Sequence, residues 1–235
     1  MSRVWLITDC ASGLGRVLAE RVLASGDRLA AGAREPALLA DLVAAHAERV
    51  LPVALTLTDE ADVYAAFRAA LQTFGRLDVV VNHAAPAPIG AIAALRESDF
   101  RDEFETHFFS AVGVAHAAFA VMQEQGWGHI VQLPALASRH GAATMPAQRA
   151  AHAALGVFSQ ALASEAMQSG IRVSFVEMDS IDECISTLLE NRDLGAVDFV
   201  RSESVRHSAC ARREKASSRA VSADVVPFPP RPVAA

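Results

Sequence analysis

Short apolar runs alternate with longer amphipathic stretches, and this alternation constrains the fold more than any other feature of the chain. Val4–Thr8, Arg28–Ala33, Val50–Leu55, Leu77–Asn82, Gly128–Leu133 and Ile171–Glu177 read as strands, while helical spacing fills Gly13–Ala24, Pro36–Ala47, Asp59–Phe74, Ser98–Gln123 and Pro146–Gln168. Strands that are apolar along their whole length are buried on both faces, which a parallel sheet covered by helices above and below provides. The pattern predicts one doubly wound α/β domain over residues 1–220. In such sheets ligands bind beyond the carboxyl ends of the strands, so the residues just after each strand are the candidates for a site. After Val176 the pattern weakens. Ile181–Asn191 and Asp198–Arg213 read as helical and Val225–Val226 as a last strand, and residues 221–235, with four prolines, read as a flexible tail.

The chain of 235 residues is long enough to bury one substantial core. Its apolar fraction of 52% is dispersed, and no run approaches the roughly 18 uninterrupted apolar residues of a membrane span. The first residues, MSRVWLITD, lack the basic, apolar and small-residue regions of a signal peptide. A soluble, cytoplasmic protein is expected. A net charge of −6 and a pI near 5.7 argue against nucleic-acid binding, which calls for a concentrated basic face. Cys10, Cys184 and Cys210 are odd in number and widely spaced, matching neither a disulfide framework nor a zinc pattern. No metal site is expected.

Four segments follow or form the strand ends in a telling way: Thr8-Asp9-Cys10-Ala11-Ser12-Gly13-Leu14-Gly15, Asn82-His83-Ala84-Ala85, Phe104-Glu105-Thr106-His107-Phe108 and Gly128-His129-Ile130-Val131-Gln132-Leu133-Pro134-Ala135. They resemble the TGxxxGxG, NNAG, FxTN and GHIVxISS segments of the short-chain dehydrogenase/reductase family, and the resemblance extends from the first strand to about Val176. It implies a Rossmann-like single domain with a C-terminal cap, shortened here, and a nicotinamide dinucleotide across the sheet. It also implies an Asn–Ser–Tyr–Lys tetrad, and in those four slots this chain has His107, Ala135, Gln148 and His152. Amide side chains do not exchange protons at neutral pH, so Gln148 cannot replace a phenol as general acid. The sole tyrosine, Tyr64, belongs to a distant helix.

The nucleotide contacts implied by the resemblance are altered too. Asp9 replaces the first glycine of the turn, and a carboxylate about 4 Å from a phosphate charge is repelled by roughly 1 kcal/mol in water and about 4 at an effective dielectric near 20. Thr56 stands where an adenine-contacting Asp is usual, and Glu177-Met178-Asp179 where a Pro-Gly pair is usual. Ser12, Gly13, Leu14, Gly15 and Asn82 are retained, and Arg34 after the second strand matches a residue that often meets the 2′-phosphate of NADP. These residues read as a vestigial cofactor site. No cofactor is expected, and NADP is disfavoured.

The replacements still carry chemistry, because an unperturbed histidine titrates near 6.5 and suits acid/base work at neutral pH. His107 and His152 are expected to act as base and acid, with Gln148 orienting the substrate and His83, Ala135, Met145 and Asp179 lining the pocket; His140 lies in the loop above. The reading placed first is a cofactor-independent enzyme catalysing cyclisation, isomerisation or elimination of a small natural-product-like substrate. A second is a non-catalytic member that assembles with itself or with an active relative through the Ala-rich helices Ser98–Gln123 and Pro146–Gln168. A third is an atypical NADP-dependent oxidoreductase.

Overall fold

The computed structural model describes residues 2–84, 92–134, 145–177 and 197–201. The chain runs β1 (Val4–Ile7), α1 (Gly13–Ala24), β2 (Arg28–Ala33), a 3-10 turn (Pro36–Leu39) leading into α2 (Ala40–His46), β3 (Val50–Ala54), α3 (Glu60–Phe74) and β4 (Val79–His83). A second half follows: α4 (Glu97–Phe104), a π-helical turn (Glu105–Phe109), α5 (Ser110–Gln125), β5 (Gly128–Leu133), α6 (Pro146–Ala166), β6 (Ile171–Glu177) and β7 (Val197–Arg201).

The strands form one sheet in the order β3-β2-β1-β4-β5-β6-β7, every pair parallel. Period-two alternation sorts its side chains between two cores. In β1, Trp5 and Ile7 join α1 and α2 on one face, while Val4 and Leu6 join α3, α5 and α6 on the other. Val79 and Val81 against Val80 repeat the division in β4. Burying a Leu or Ile side chain contributes about 1.5–3 kcal/mol, and the largest wholly buried side chains, Trp5, Leu6, Ile7, Leu29 and Ile130 among them, concentrate on the central strands. This is the doubly wound α/β fold that the alternation predicts.

The edge away from the site is fixed by polar anchors. Asp27 accepts from the backbone and guanidinium of Arg3 and from Trp5 Nε1 at 2.9 Å. Gln125, at the end of α5, accepts from Leu77 N and donates to Leu77 O, both at 2.9 Å, and so sets where β4 begins.

Two expectations need correction. The helical run expected over Ser98–Gln123 is interrupted by a π turn at Glu105–Phe109, whose i→i+5 bonding accommodates one extra residue in the helix. Val197–Arg201 overlaps the start of the segment expected to be helical but pairs parallel to β6; its β-branched and aromatic residues, VDFVR, suit an extended ladder better than a helix. Ile181–Asn191, Val225–Val226 and the proposed tail lie outside the described residues. Among the described residues no helix is long and apolar enough to cross a membrane.

Candidate functional site

The strand order reverses between β1 and β4, so a crevice opens at their carboxyl ends. Thr8 and His83 close its floor: Thr8 Oγ1 donates to His83 O at 2.6 Å and accepts from His83 N at 2.9 Å. Beyond Thr8 the chain makes the turn into α1. Gly13 has φ +58°, a conformation side chains with a Cβ rarely adopt, and a Cβ on Gly15 would lie 1.6 Å from the carbonyl oxygen of Asp9. Both positions require glycine. Ser12, before α1, makes no side-chain cap, which leaves the first amides of the helix available to an anion.

Asp9 is accommodated by folding onto its own turn, where its Oδ1 accepts from Ala11 N at 3.3 Å. Leu14 is buried behind the turn, and Arg34 is exposed just past β2. Thr56 donates its backbone amide to Asp62 Oδ2 at 3.1 Å, tying the end of β3 to the start of α3. Cys10 is wholly buried, and burial, reinforced by Asp9, pushes its thiol well above its ordinary value. It is packing, not a nucleophile.

At the end of β4, Asn82 Nδ2 donates to Ala111 O at 3.0 Å and to Gln132 Oε1 at 2.9 Å, tying β4 to α5 and β5. His83 Nδ1 lies 3.0 Å from Leu133 O. A carbonyl only accepts, so Nδ1 carries the proton and Nε2 keeps its lone pair. The ring lies over Gly15, and burial pushes its pKa down against the opposing pull of Leu133 and Asp9.

The π turn presents His107 inward, 4% exposed, and α6 presents Gln148 and His152 one helical turn apart on its buried face, 2% and 8% exposed. The His107 and His152 rings meet edge to face with centroids 5.6 Å apart. Glu103, one turn before His107, places Oε2 3.4 Å from His107 Nε2. An ionised pair at that distance would raise the histidine and lower the acid, yet the opposite shifts prevail. Burial pushes Glu103 up, with Asp102 adding to it, and burial with the nearby His83 pushes His107 down to about 4. His152 is also pushed down to about 4, by burial, His107, Arg149 and His83. His107 and His152 are therefore neutral at pH 7. His107 Nε2, His152 Nε2, Glu103 Oε2 and both amide atoms of Gln148 are buried without a hydrogen-bond partner among the described residues.

The structure thus gathers His83, His107 and His152 around one crevice, with Gln148 on the same helix face as His152 and Met145 buried at the start of α6. It also corrects one expectation: these histidines are not poised near 6.5, because desolvation outweighs every favourable charge near them. Ala135, His140 and Asp179 lie outside the described residues. Glu103 and Gln132 escaped the sequence reading. The i, i+4 spacing of Glu103 and His107 was a visible signal, whereas Gln132 reads simply as a polar residue in a strand.

The short chain dehydrogenase family matches residues 3–188, and the chain belongs to that family. It is 37% identical over 182 residues to an oxidoreductase, BOA17, of Botryotinia fuckeliana, covering 77% of this chain and 66% of that one. The chain thus spans just under two thirds of that relative's length. A solved short-chain dehydrogenase from Streptomyces avermitilis superposes with a TM-score of 0.79 at 25% identity, over 92% of this chain and 96% of that one. L-sorbose reductase from Gluconobacter frateurii, solved with NADPH and L-sorbose, superposes with a TM-score of 0.68 at 26% identity, over 75% and 69% of the two chains.

These likenesses overturn two expectations. A cofactor-independent cyclase, isomerase or eliminating enzyme does not fit a chain whose relatives are oxidoreductases, dehydrogenases and reductases. The expected lack of a cofactor falls with it. The charge argument against the nucleotide overestimated Asp9, whose carboxylate is engaged by its own turn while the glycines and the uncapped helix amides stay in place. The residues that are described fit the phosphate end of a nicotinamide dinucleotide.

Proposed function

We propose that this protein is an NADP-dependent oxidoreductase interconverting a carbonyl and an alcohol on a small molecule. The observation that carries this reading is the turn after β1, where Gly13 at φ +58° and a Gly15 that tolerates no Cβ aim the free amides of α1 into the β1/β4 crevice. That turn would hold the pyrophosphate, and Arg34 the 2′-phosphate. The names of the similar proteins support the same chemistry, including a reductase solved with NADPH. When bound, the dinucleotide supplies or accepts a hydride.

The chain's own part is to position the carbonyl and manage its proton. The amide of Gln148 is buried with neither polar atom partnered among the described residues, so it can hydrogen-bond a substrate oxygen in either oxidation state. His152, one turn along, and His107 against it supply the imidazoles through which a proton is exchanged. Calorimetric titration with NADPH and NADH tests the proposal. Micromolar binding of NADPH, with NADH weaker, is the expected result; no heat from either at millimolar concentration refutes it.

A further inference from the structure

Gln148 carries more bare polar atoms than any other described residue: its Nε2 and Oε1 both lack a partner among the described residues, and it is 2% exposed in the first turn of α6. Buried polar atoms are ordinarily paired, so a wholly bare amide calls for a ligand that completes it. Its immediate neighbours on α6 do not. Met145 has no hydrogen to donate, and His152, one turn along on the same buried face, keeps its own Nε2 unpartnered.

A carboxamide holds its donor and its acceptor side by side on one planar group. Whatever completes it must present an acceptor next to a donor. The carbonyl of the oxidoreductase reading meets Nε2 alone and leaves Oε1 bare. An unmet buried polar atom weakens binding by about 5- to 150-fold, which is about 1–3 kcal/mol at about 1.4 kcal/mol per tenfold.

We propose that the substrate is an α-hydroxy carbonyl compound, interconverted with its vicinal diol: Gln148 Nε2 donates to the carbonyl oxygen, and Oε1 accepts from the hydroxyl on the adjacent carbon. The proposal rests on the oxidoreductase reading, which requires a carbonyl that hydride can reduce. That requirement sets aside an amide or lactam, whose N–H and C=O would otherwise pair with Gln148 equally well. A carboxylic acid is set aside by charge. Ionised at neutral pH it only accepts, so one oxygen would face Oε1, and the neutral His107 and His152 add no cation to hold it.

The pairing persists through turnover. The carbonyl carbon gains a hydride, the π pair moves onto oxygen, and a solvent proton passed by the imidazoles of His107 and His152 forms the new O–H. The diol then accepts from Nε2 through the new hydroxyl and donates to Oε1 through the old one. Each reduction consumes one hydride and one proton, and oxidation of the diol returns both. A simple ketone lacks the second contact, and a site that hydrogen-bonds a substrate hydroxyl rejects the analogue without it, because its own buried group goes unpaired.

Four probes small enough that pocket shape does not decide the outcome test the pairing: hydroxyacetone and propane-1,2-diol against acetone and propan-2-ol. Nitrogen-15 NMR of the backbone amides of α6 reads their binding at millimolar concentrations. The two hydroxylated pairs are expected to bind wild type at least fivefold tighter than acetone and propan-2-ol, and Gln148→Leu to bring all four within about twofold. Gln148→Met, unbranched and of similar length, gives the same readout where the leucine variant does not fold. Equal binding of hydroxyacetone and acetone, no binding of any probe, or an unchanged preference in the variants overturns the proposal. NADPH consumption with the same probes separates the two claims. A preference for the hydroxylated probes without NADPH oxidation removes the oxidoreductase reading and leaves the Gln148 pairing; NADPH oxidation by acetone as fast as by hydroxyacetone does the reverse.

Discussion

Acidification should destabilise this fold through three buried histidines, and the size follows from their shifts. Burial is the first cause in each case. It holds His107 and His152 down to about 4 and His129 down to about 3, against 6.5 for the unfolded side chain. The unfolded chain therefore binds more protons than the folded one between pH 6.5 and about 4, and stability present above 6.5 is lost as pH falls through that window. At pH 5 each histidine costs about 1.5 units at about 1.36 kcal/mol per unit, or about 2 kcal/mol. Three give an upper bound of about 6 kcal/mol. Glu103 works the other way, since its raised pKa favours the protonated fold at low pH, and relaxation around partly buried rings reduces the loss further, to about 3–5 kcal/mol. Small domains have a total of about 5–15 kcal/mol, so the effect is large. Urea unfolding at pH 7.5, 6.5, 5.5 and 5 measures it, and the midpoint should fall steeply below pH 6.5. Glutamine at 107, 129 and 152 together should flatten the curve. A wild-type midpoint unchanged between pH 7.5 and 5 would show that the rings are not held neutral and would refute the reasoning.

Asp9→Asn keeps the hydrogen bond from Ala11 and removes only the charge; NADPH should bind about five- to tenfold tighter by calorimetry, the equivalent of about 1–1.4 kcal/mol. Equal affinity would mean that the carboxylate is already screened by its turn. Arg34→Glu should weaken NADPH at least tenfold and leave NADH within a factor of about three, because only the 2′-phosphate distinguishes them. Parallel losses would place Arg34 elsewhere. Asn82→Ala strands Ala111 O and Gln132 Oε1 in the interior and should cost about 2–3 kcal/mol in denaturant unfolding. Gly15→Ala, whose methyl meets the Asp9 carbonyl, should abolish nucleotide binding while most of the far-UV circular dichroism survives; retained micromolar binding would show that the turn relaxes.

Local sequence carried the strands and helices well where burial was complete. β1 is apolar on both faces and β2, β5 and β6 are mostly so, and no other element type suits such short runs. The same logic found Asp59 and Phe74 as limits of α3, since Asp59 accepts from the amides of Ala61 and Asp62 at the helix start. It was less informative where packing overrides propensity. The π turn at Glu105–Phe109 looks in sequence like ordinary helix, and Val197–Arg201 becomes a strand through its partner β6. For the site, the resemblance to the family's tetrad segments nominated His107, Gln148 and His152, and the segment at the end of β4 nominated His83.

The sequence by itself determined the doubly wound α/β class and the strand ends that bear the site, because periodicity is a short-range pattern, whereas the strand order and its reversal between β1 and β4 are set by tertiary pairing. Only the tertiary structure decided what those side chains do to one another. Protonation depends on water excluded and charges gathered from distant segments, and that is why His107 and His152, far apart in the chain, meet as neutral rings. It also decided Asp9, whose charge looked prohibitive in sequence and whose carboxylate folds back onto the amide of Ala11, leaving the glycine turn intact.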